Sequence, residues 1–218
     1  MLLGHRSLYQ DAHILHRDIS INNVLINPST GGGFLVDLDL AINPSRLTAS
    51  GAPHRTGTFD FMAIGVHSGD QHTYRHDLES FFWLLLYLCT YRPGPDNNPL
   101  THHAKLVIND VVEDKTIFQT IERVGMDMRT TVMLKTAAVR KEEFEERTLA
   151  KTHPAMREMF GDLLMSWRDI LFPLGRVKDK TLTDTPCDAN DLYDRMLGTL
   201  EQQVPAVKLK EENLQGWN

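Results

Sequence analysis

The sequence predicts a mainly α-helical fold with a small β-hairpin region. Three observations carry this expectation. Apolar residues recur at helical spacing over long stretches, most clearly 77–91 and 154–171. Two short apolar runs, Val24-Leu25-Ile26 and Phe34-Leu35-Val36, flank a turn built from Asn27-Pro28-Ser29-Thr30 and three glycines. Prolines and glycines punctuate the helical stretches: Arg92-Pro93-Gly94-Pro95 closes one, and Pro154 suits the first turn of the next.

Taken in order, residues 2 to about 13 read as the end of a helix, with Leu2, Leu3 and Leu8 on its apolar side. A turn leads to a loop at 16–23, and the hairpin follows. Gly31 to Gly33 read as a hairpin turn, because no strand–glycine–helix order or following lysine makes them a phosphate cradle. Residues 40 to about 75 are rich in Gly, Ser, Thr and His and read mostly as loop. Asp77 to Tyr91 is apolar almost all round, as befits a helix in the middle of a core. A helix is expected near 114–124, a solvated charged helix face at 141–147, an amphipathic helix from Pro154, and a last helix near 188–202. The polar tail after Pro205 is expected to fray.

Hydrophobic residues at 41% and charged residues at 24% of 218 describe an ordinary globular composition. The net charge of -6 argues against a nucleic-acid or anionic-membrane partner, which a broad basic field would attract. Cys89 lies in an apolar run and Cys187 in a polar loop, which points to a reducing compartment rather than a disulfide framework. The longest apolar run, Phe81 to Cys89, falls short of the roughly 20 residues that cross a bilayer. The N-terminus lacks the apolar core of a signal peptide, so an intracellular protein of the cytoplasm or nucleus is expected. His102-His103 and His153 show no spacing that fits a structural zinc site.

The chemistry is concentrated in His16-Arg17-Asp18-Ile19-Ser20-Ile21-Asn22-Asn23. It sets an acid and an amide at the spacing that phosphoryl transfer uses: the acid accepts a proton from the attacking hydroxyl, and the amide oxygen holds Mg²⁺. Asp37 leaves the second strand of the hairpin and is thereby brought back beside Asn23. One carboxylate and one amide oxygen suffice for Mg²⁺, which completes its shell with water and substrate phosphates.

The ordered series His16-Arg17-Asp18…Asn23, Asp37-Leu38-Asp39, Gly57-Thr58…Phe61-Met62-Ala63 and Asp77-Leu78-Glu79-Ser80 resembles the C-terminal lobe of a eukaryotic-type protein kinase. The wording of His16-Arg17-Asp18-Ile19-Ser20 and Asp37-Leu38-Asp39-Leu40-Ala41 is closer still to the fungal-type protein kinase family. The informative part spans residues 1 to about 91. The resemblance implies a kinase-like lobe over 1–202, followed by a polar tail at 203–218. Within it lie a catalytic loop at 16–23, a Mg-binding segment at 37–39, an activation segment at 40–65, a core helix at 77–91 and further helices over 100–202.

By that resemblance Asp18 is the catalytic base, and Asn23 and Asp37 hold Mg²⁺ and ATP. His16 and Arg17 support the loop. Arg17 is also placed to reach a phosphorylated Thr48, Ser50 or Thr56, since a guanidinium fork pairs well with phosphate. Thr58 bonds the catalytic aspartate and tilts the substrate to a Ser/Thr hydroxyl on a protein. Asp77 accepts backbone N–H groups of the catalytic loop; it also reads as the cap of its own helix, with Ser80 three residues on, and the two roles are compatible. Three positions depart from the wider kinase pattern: Ser20 replaces a lysine, Asp39 a glycine, and Ile64-Gly65 a Pro-Glu pair. Only fifteen residues precede His16, so the N-terminal lobe is missing and the chain is expected to be an incomplete portion, inactive by itself. The alternatives are a pseudokinase or interaction module, and a small-molecule phosphotransferase on the same fold.

Overall fold

The computed structural model describes residues 1–44, 56–91, 115–173 and 188–215. It divides into two compact units, residues 1–84 with 179–197, and residues 85–178 with 198–218. Among the described residues it is mainly helical, with one two-stranded antiparallel sheet.

The first unit opens with α1 (Leu2–Gln10), which buries Leu2 and His5. Leu3, expected on the apolar side, is 65% exposed, and a histidine takes the inward position instead. Strands β1 (Val24–Ile26) and β2 (Gly33–Leu35) pair with Leu25 opposite Phe34, one residue earlier in β2 than the apolar run indicates. The turn between them is closed by Asn27, whose N–H donates to Gly32 and whose carbonyl accepts from Gly31. An isolated bridge joins Leu15 to Ile42 on either side of the hairpin.

The region expected to be loop contains a short helix, α2 (Ile64–Ser68), ended by Gly69 in the left-handed conformation. Its Val66 is buried in one cluster with Met62 and Ala63. Helix α3 (Tyr74–Tyr91) begins three residues before the expected start, and none of its residues is exposed. Phe82 and Trp83, fully buried, stack edge to face. Each such side chain contributes about 1.5–3 kcal/mol through burial alone.

In the second unit, α4 (Ile117–Arg123) starts at a capping box: Thr116 accepts from the Gln119 backbone while the Gln119 side chain accepts from Thr116. Helix α5 (Met128–Ala138), N-capped by Asp127, was not legible in the apolar pattern. Its buried positions are Thr131 and Lys135, and its Met133 is 72% exposed. The charged stretch is α-helical over Lys141–Glu143, π-helical over Phe144–Thr148 and 3₁₀ over Leu149–Lys151. The expected i,i+4 pair is present between Glu143 and Arg147, but Phe144 within the same run is fully buried.

Helix α6 (Pro154–Leu171) carries Pro154 in its first turn and buries Leu163, Leu164, Trp167 and Leu171 as the period requires. It also buries Arg168, whose Nε donates to the Val139 carbonyl at 2.7 Å. Helix α7 (Ala189–Gln215) runs on through Pro205, so the tail expected to fray is helical to Gln215. No helix among the described residues is long and apolar enough to cross a membrane. Cys89 is free and buried, and burial pushes its thiol up to about 12, which leaves it unreactive. Cys187, His102 and His103 lie outside the described residues.

Candidate active site

All of the described candidate site residues belong to the first unit. Asp18 sits in the loop before the hairpin and is held on both carboxylate oxygens. Thr58 donates to Oδ1 twice, from its backbone N–H and from its hydroxyl, each at 2.8 Å. Asn23 donates its side-chain amide to Oδ2 and to the Asp18 carbonyl, each at 3.0 Å. The loop therefore closes on itself through Asn23 and is joined to the 56–63 segment through Thr58. Gly57 makes that approach possible: it lies at φ +113°, and a Cβ there would meet the Arg17 carbonyl oxygen at 2.6 Å.

The hairpin supplies the second connection. The Asn23 carbonyl accepts from the Val36 N–H at 3.0 Å, which sets the residue before Asp37 against Asn23. His16 donates from Nε2 to the Val36 carbonyl at 3.1 Å, and its Nδ1 faces the Asp18 N–H at 3.4 Å. Asp37 follows in the left-handed conformation, φ +64°, its Oδ1 accepting from the Asp39 N–H at 3.2 Å, with its side chain exposed. The amide hydrogens of Asn23 are directed at Asp18, so its oxygen remains an acceptor; that oxygen and the Asp37 carboxylate are each of the hard donor type that Mg²⁺ takes.

Residues 1–89 match the family model described as fungal protein kinase. The resemblance to the fungal protein kinases holds over that stretch. No curated protein matches the chain. The matched stretch thus covers the loop at 16–23, the hairpin, Asp37, Thr58 and Asp77 together.

Asp77 does not cap its helix. It is the fourth residue of α3, and its carboxylate instead accepts the backbone N–H groups of His16 at 2.9 Å and Arg17 at 3.0 Å. Two imidazoles that sequence reasoning passed over, those of His5 and His72, complete its shell at 2.9 and 2.8 Å. Burial pushes the Asp77 carboxyl up, but His72 and the hydrogen bonds from both imidazoles outweigh it and hold the group well below the usual carboxylate range. The start of α3 is marked by Thr73, whose N–H and hydroxyl both meet His76 Nδ1. A threonine three residues before a side-chain acceptor was the available signal for that start.

The departures from the wider kinase pattern have definite places in the matched stretch. Ser20 is buried, and its carbonyl closes the loop by accepting from the Asn23 N–H. The Ile64 N–H donates to Glu79 Oε1 at 2.8 Å, and Trp83 Nε1 donates to the same oxygen. A carboxylate from α3 therefore secures the segment where Pro-Glu is otherwise expected. Arg17 is 5% exposed, at φ +69°, with Nη1 at 3.5 Å from the Leu40 carbonyl. The Thr56 hydroxyl is buried without a hydrogen-bond partner, and Thr48 and Ser50 lie outside the described residues.

His76, on α3 beside this centre, has an acid-sensitive consequence. Burial first, then His72 and Arg75, push its imidazole down from 6.5 to about 3, against the opposing pull of Asp77. Between those values the unfolded chain binds a proton that the folded chain refuses, so stability rises with pH across the window and is lost as pH falls from 6.5 towards 3. The loss is about 1.4 kcal/mol for each pH unit. Denaturant unfolding measured across that range should show a shallower pH slope for His76→Asn, whose Oδ1 replaces the Nδ1 acceptor without titrating.

Proposed function

We propose that residues 1–89 carry part of the machinery of a protein kinase that transfers a phosphoryl group from ATP to a Ser or Thr hydroxyl of a protein. The family match supports a protein-kinase-type function. The observation that carries the finer reading is the state of Asp18, an acid fixed by three side-chain-directed hydrogen bonds from Thr58 and Asn23. With two donors on Oδ1 and one on Oδ2, the lone pair left to receive a proton is on Oδ2. A hydroxyl brought to that oxygen loses its proton as it attacks, which contributes roughly 10²–10⁴ in rate.

The Asn23 oxygen and the Asp37 carboxylate would hold Mg²⁺ with the nucleotide. When bound, the ion offsets the charge that develops on the transferred phosphate. His16 ties the hairpin to the loop through its bond to the Val36 carbonyl. Thr58 belongs to the segment that faces an incoming hydroxyl, which supports a Ser/Thr protein substrate over a small molecule.

The test is phosphate transfer from Mg·ATP to a generic Ser/Thr acceptor protein by the chain, expressed with any in-frame upstream coding sequence, and by its Asp18→Asn variant. The variant should be slower by at least about 10²-fold with nucleotide affinity unchanged. Equal rates, with ATP bound in both, defeat the proposal. A second reading, a non-catalytic interaction module, is favoured by the apolar Leu25–Phe34 pair, which is 50% and 53% exposed. Stabilisation of the chain against heat by Mg·ATP counts against that second reading.

A further inference from the structure

We infer that His5 and His72 are positioning residues for the phosphoryl transfer, acting through Asp77 on the backbone that carries Asp18. This rests on the kinase reading above. The Asp77 carboxylate is fully buried and divides its four hydrogen bonds evenly. Oδ2 accepts from the His16 N–H and from His5 Nε2, both at 2.9 Å. Oδ1 accepts from the Arg17 N–H at 3.0 Å and from His72 Nε2 at 2.8 Å. Each oxygen thus serves one loop amide and one imidazole.

Two amide bonds, one to each oxygen, restrain the carboxylate but leave acceptor sites open on both oxygens. The two imidazoles, one from α1 and one from the segment before α3, fill a site on each oxygen and tighten that restraint. What they fix matters, because Arg17 is held at φ +69°, a conformation that persists in a non-glycine residue only where its surroundings impose it. Asp18 is the next residue. A swing of Asp77 displaces the base, and about 1 Å of displacement is enough for a 10²-fold loss of rate.

The same bonds settle where the protons lie. Both Nε2 atoms must carry hydrogen in order to donate. In a neutral His5 ring with hydrogen on Nε2 the acceptor is Nδ1, and the Tyr193 hydroxyl lies 2.7 Å from it. Burial, then the charge of Asp77, push the Tyr193 hydroxyl up, so it keeps the proton it donates. In His72 the Nδ1 is buried without a partner. That ring gives up one hydrogen bond in order to make the bond to Asp77.

The test uses the full chain, ¹⁵N-labelled, by NMR at neutral pH. Imidazole correlations should show hydrogen on Nε2 of both His5 and His72. Amide exchange at His16 and Arg17 should accelerate at least about tenfold in His72→Leu, while the α3 amides of Phe82 and Trp83 hold their protection. His72→Gln, whose terminal N–H reaches the Nε2 position, should restore slow exchange. Nε2 without hydrogen on either ring, unchanged exchange in His72→Leu, or a Gln variant as fast as the Leu variant overturns the inference. Should His72→Leu fail to fold, the wild-type protonation and the Gln variant decide it. In transfer assays His72→Leu should lower kcat at least about tenfold with KM for ATP unchanged, and a change in KM alone overturns the positioning role. A wild-type chain without transfer counts against the kinase reading, while the exchange experiment still judges His5 and His72.

Discussion

Asp77→Asn is expected to lower the melting temperature by about 10 °C and to free the backbone of the loop at 16–23. The substitution conserves shape and removes acceptor capacity. In place of two oxygens, the four donors from His5, His16, Arg17 and His72 meet one oxygen and one NH₂ group. One loop amide and one imidazole are then left facing a donor in a fully buried site. Each buried group so orphaned costs about 1–3 kcal/mol, and removing a buried charge from its partners costs about 3–5 kcal/mol in total. For a chain of this size 1 kcal/mol corresponds to about 2–4 °C. Thermal unfolding followed by circular dichroism measures the shift; a change of under about 3 °C would mean that Asp77 is not the anchor of the loop. The low carboxyl pKa adds a sign: the stability it contributes is complete above the ordinary carboxylate range and is lost as pH falls below it.

Gly57→Ala is the second large effect, and it separates strain from collision. The new methyl group would stand 2.6 Å from the Arg17 carbonyl, a backbone atom that has no rotamer by which to retreat. The backbone at φ +113° is also closed to alanine. Together these should cost about 3 kcal/mol or more, and relief requires that the 57–58 segment withdraw from the loop. Thr58 then leaves Asp18, so phosphate transfer should fall at least about 10²-fold. Gly125→Ala is the control. That glycine also has a positive φ, +70°, but nothing lies within 4 Å of its added methyl, so only the strain remains, about 1 kcal/mol. Equal costs at the two glycines, measured by denaturant titration, would remove the collision from the account.

What could be read in advance depended on whether a signal was local. The hairpin was legible because its turn chemistry and flanking apolar runs lie within about a dozen residues. Helix α6 announced itself through Pro154 and a regular apolar period. Helix α5 did not, because its inward residues are a threonine and a lysine while a methionine faces solvent; periodicity of hydrophobicity carries no information there. The run through Phe144 was half legible: its ion pair follows helical spacing, but a π turn brings one aromatic inward out of a charged sequence.

The site divides in the same way. Spacing within 16–23 singled out Asp18 and Asn23 but not the bond that joins them. The Thr58 and Asp77 contacts came from the family resemblance, not from spacing. The two imidazoles on Asp77 could not be anticipated by either route: His5 and His72 stand 67 positions apart, and neither forms a pattern with its neighbours. Where a helix begins also matters. Placing the start of α3 at Asp77 makes that residue a cap, whereas the true start at Tyr74 releases its carboxylate for distant amides.

The ribbon formed by β1 and β2 has a practical corollary. Neither strand has a further neighbour in the sheet among the described residues, and Leu25, Ile26 and Phe34 all meet solvent. Its outer rims offer main-chain groups to any extended peptide of matching register, and its oily crown lowers the cost of accepting one. Concentrated preparations should therefore clump by rim-to-rim stitching before they lose their helices, and a single lysine in place of Ile26 should keep them clear.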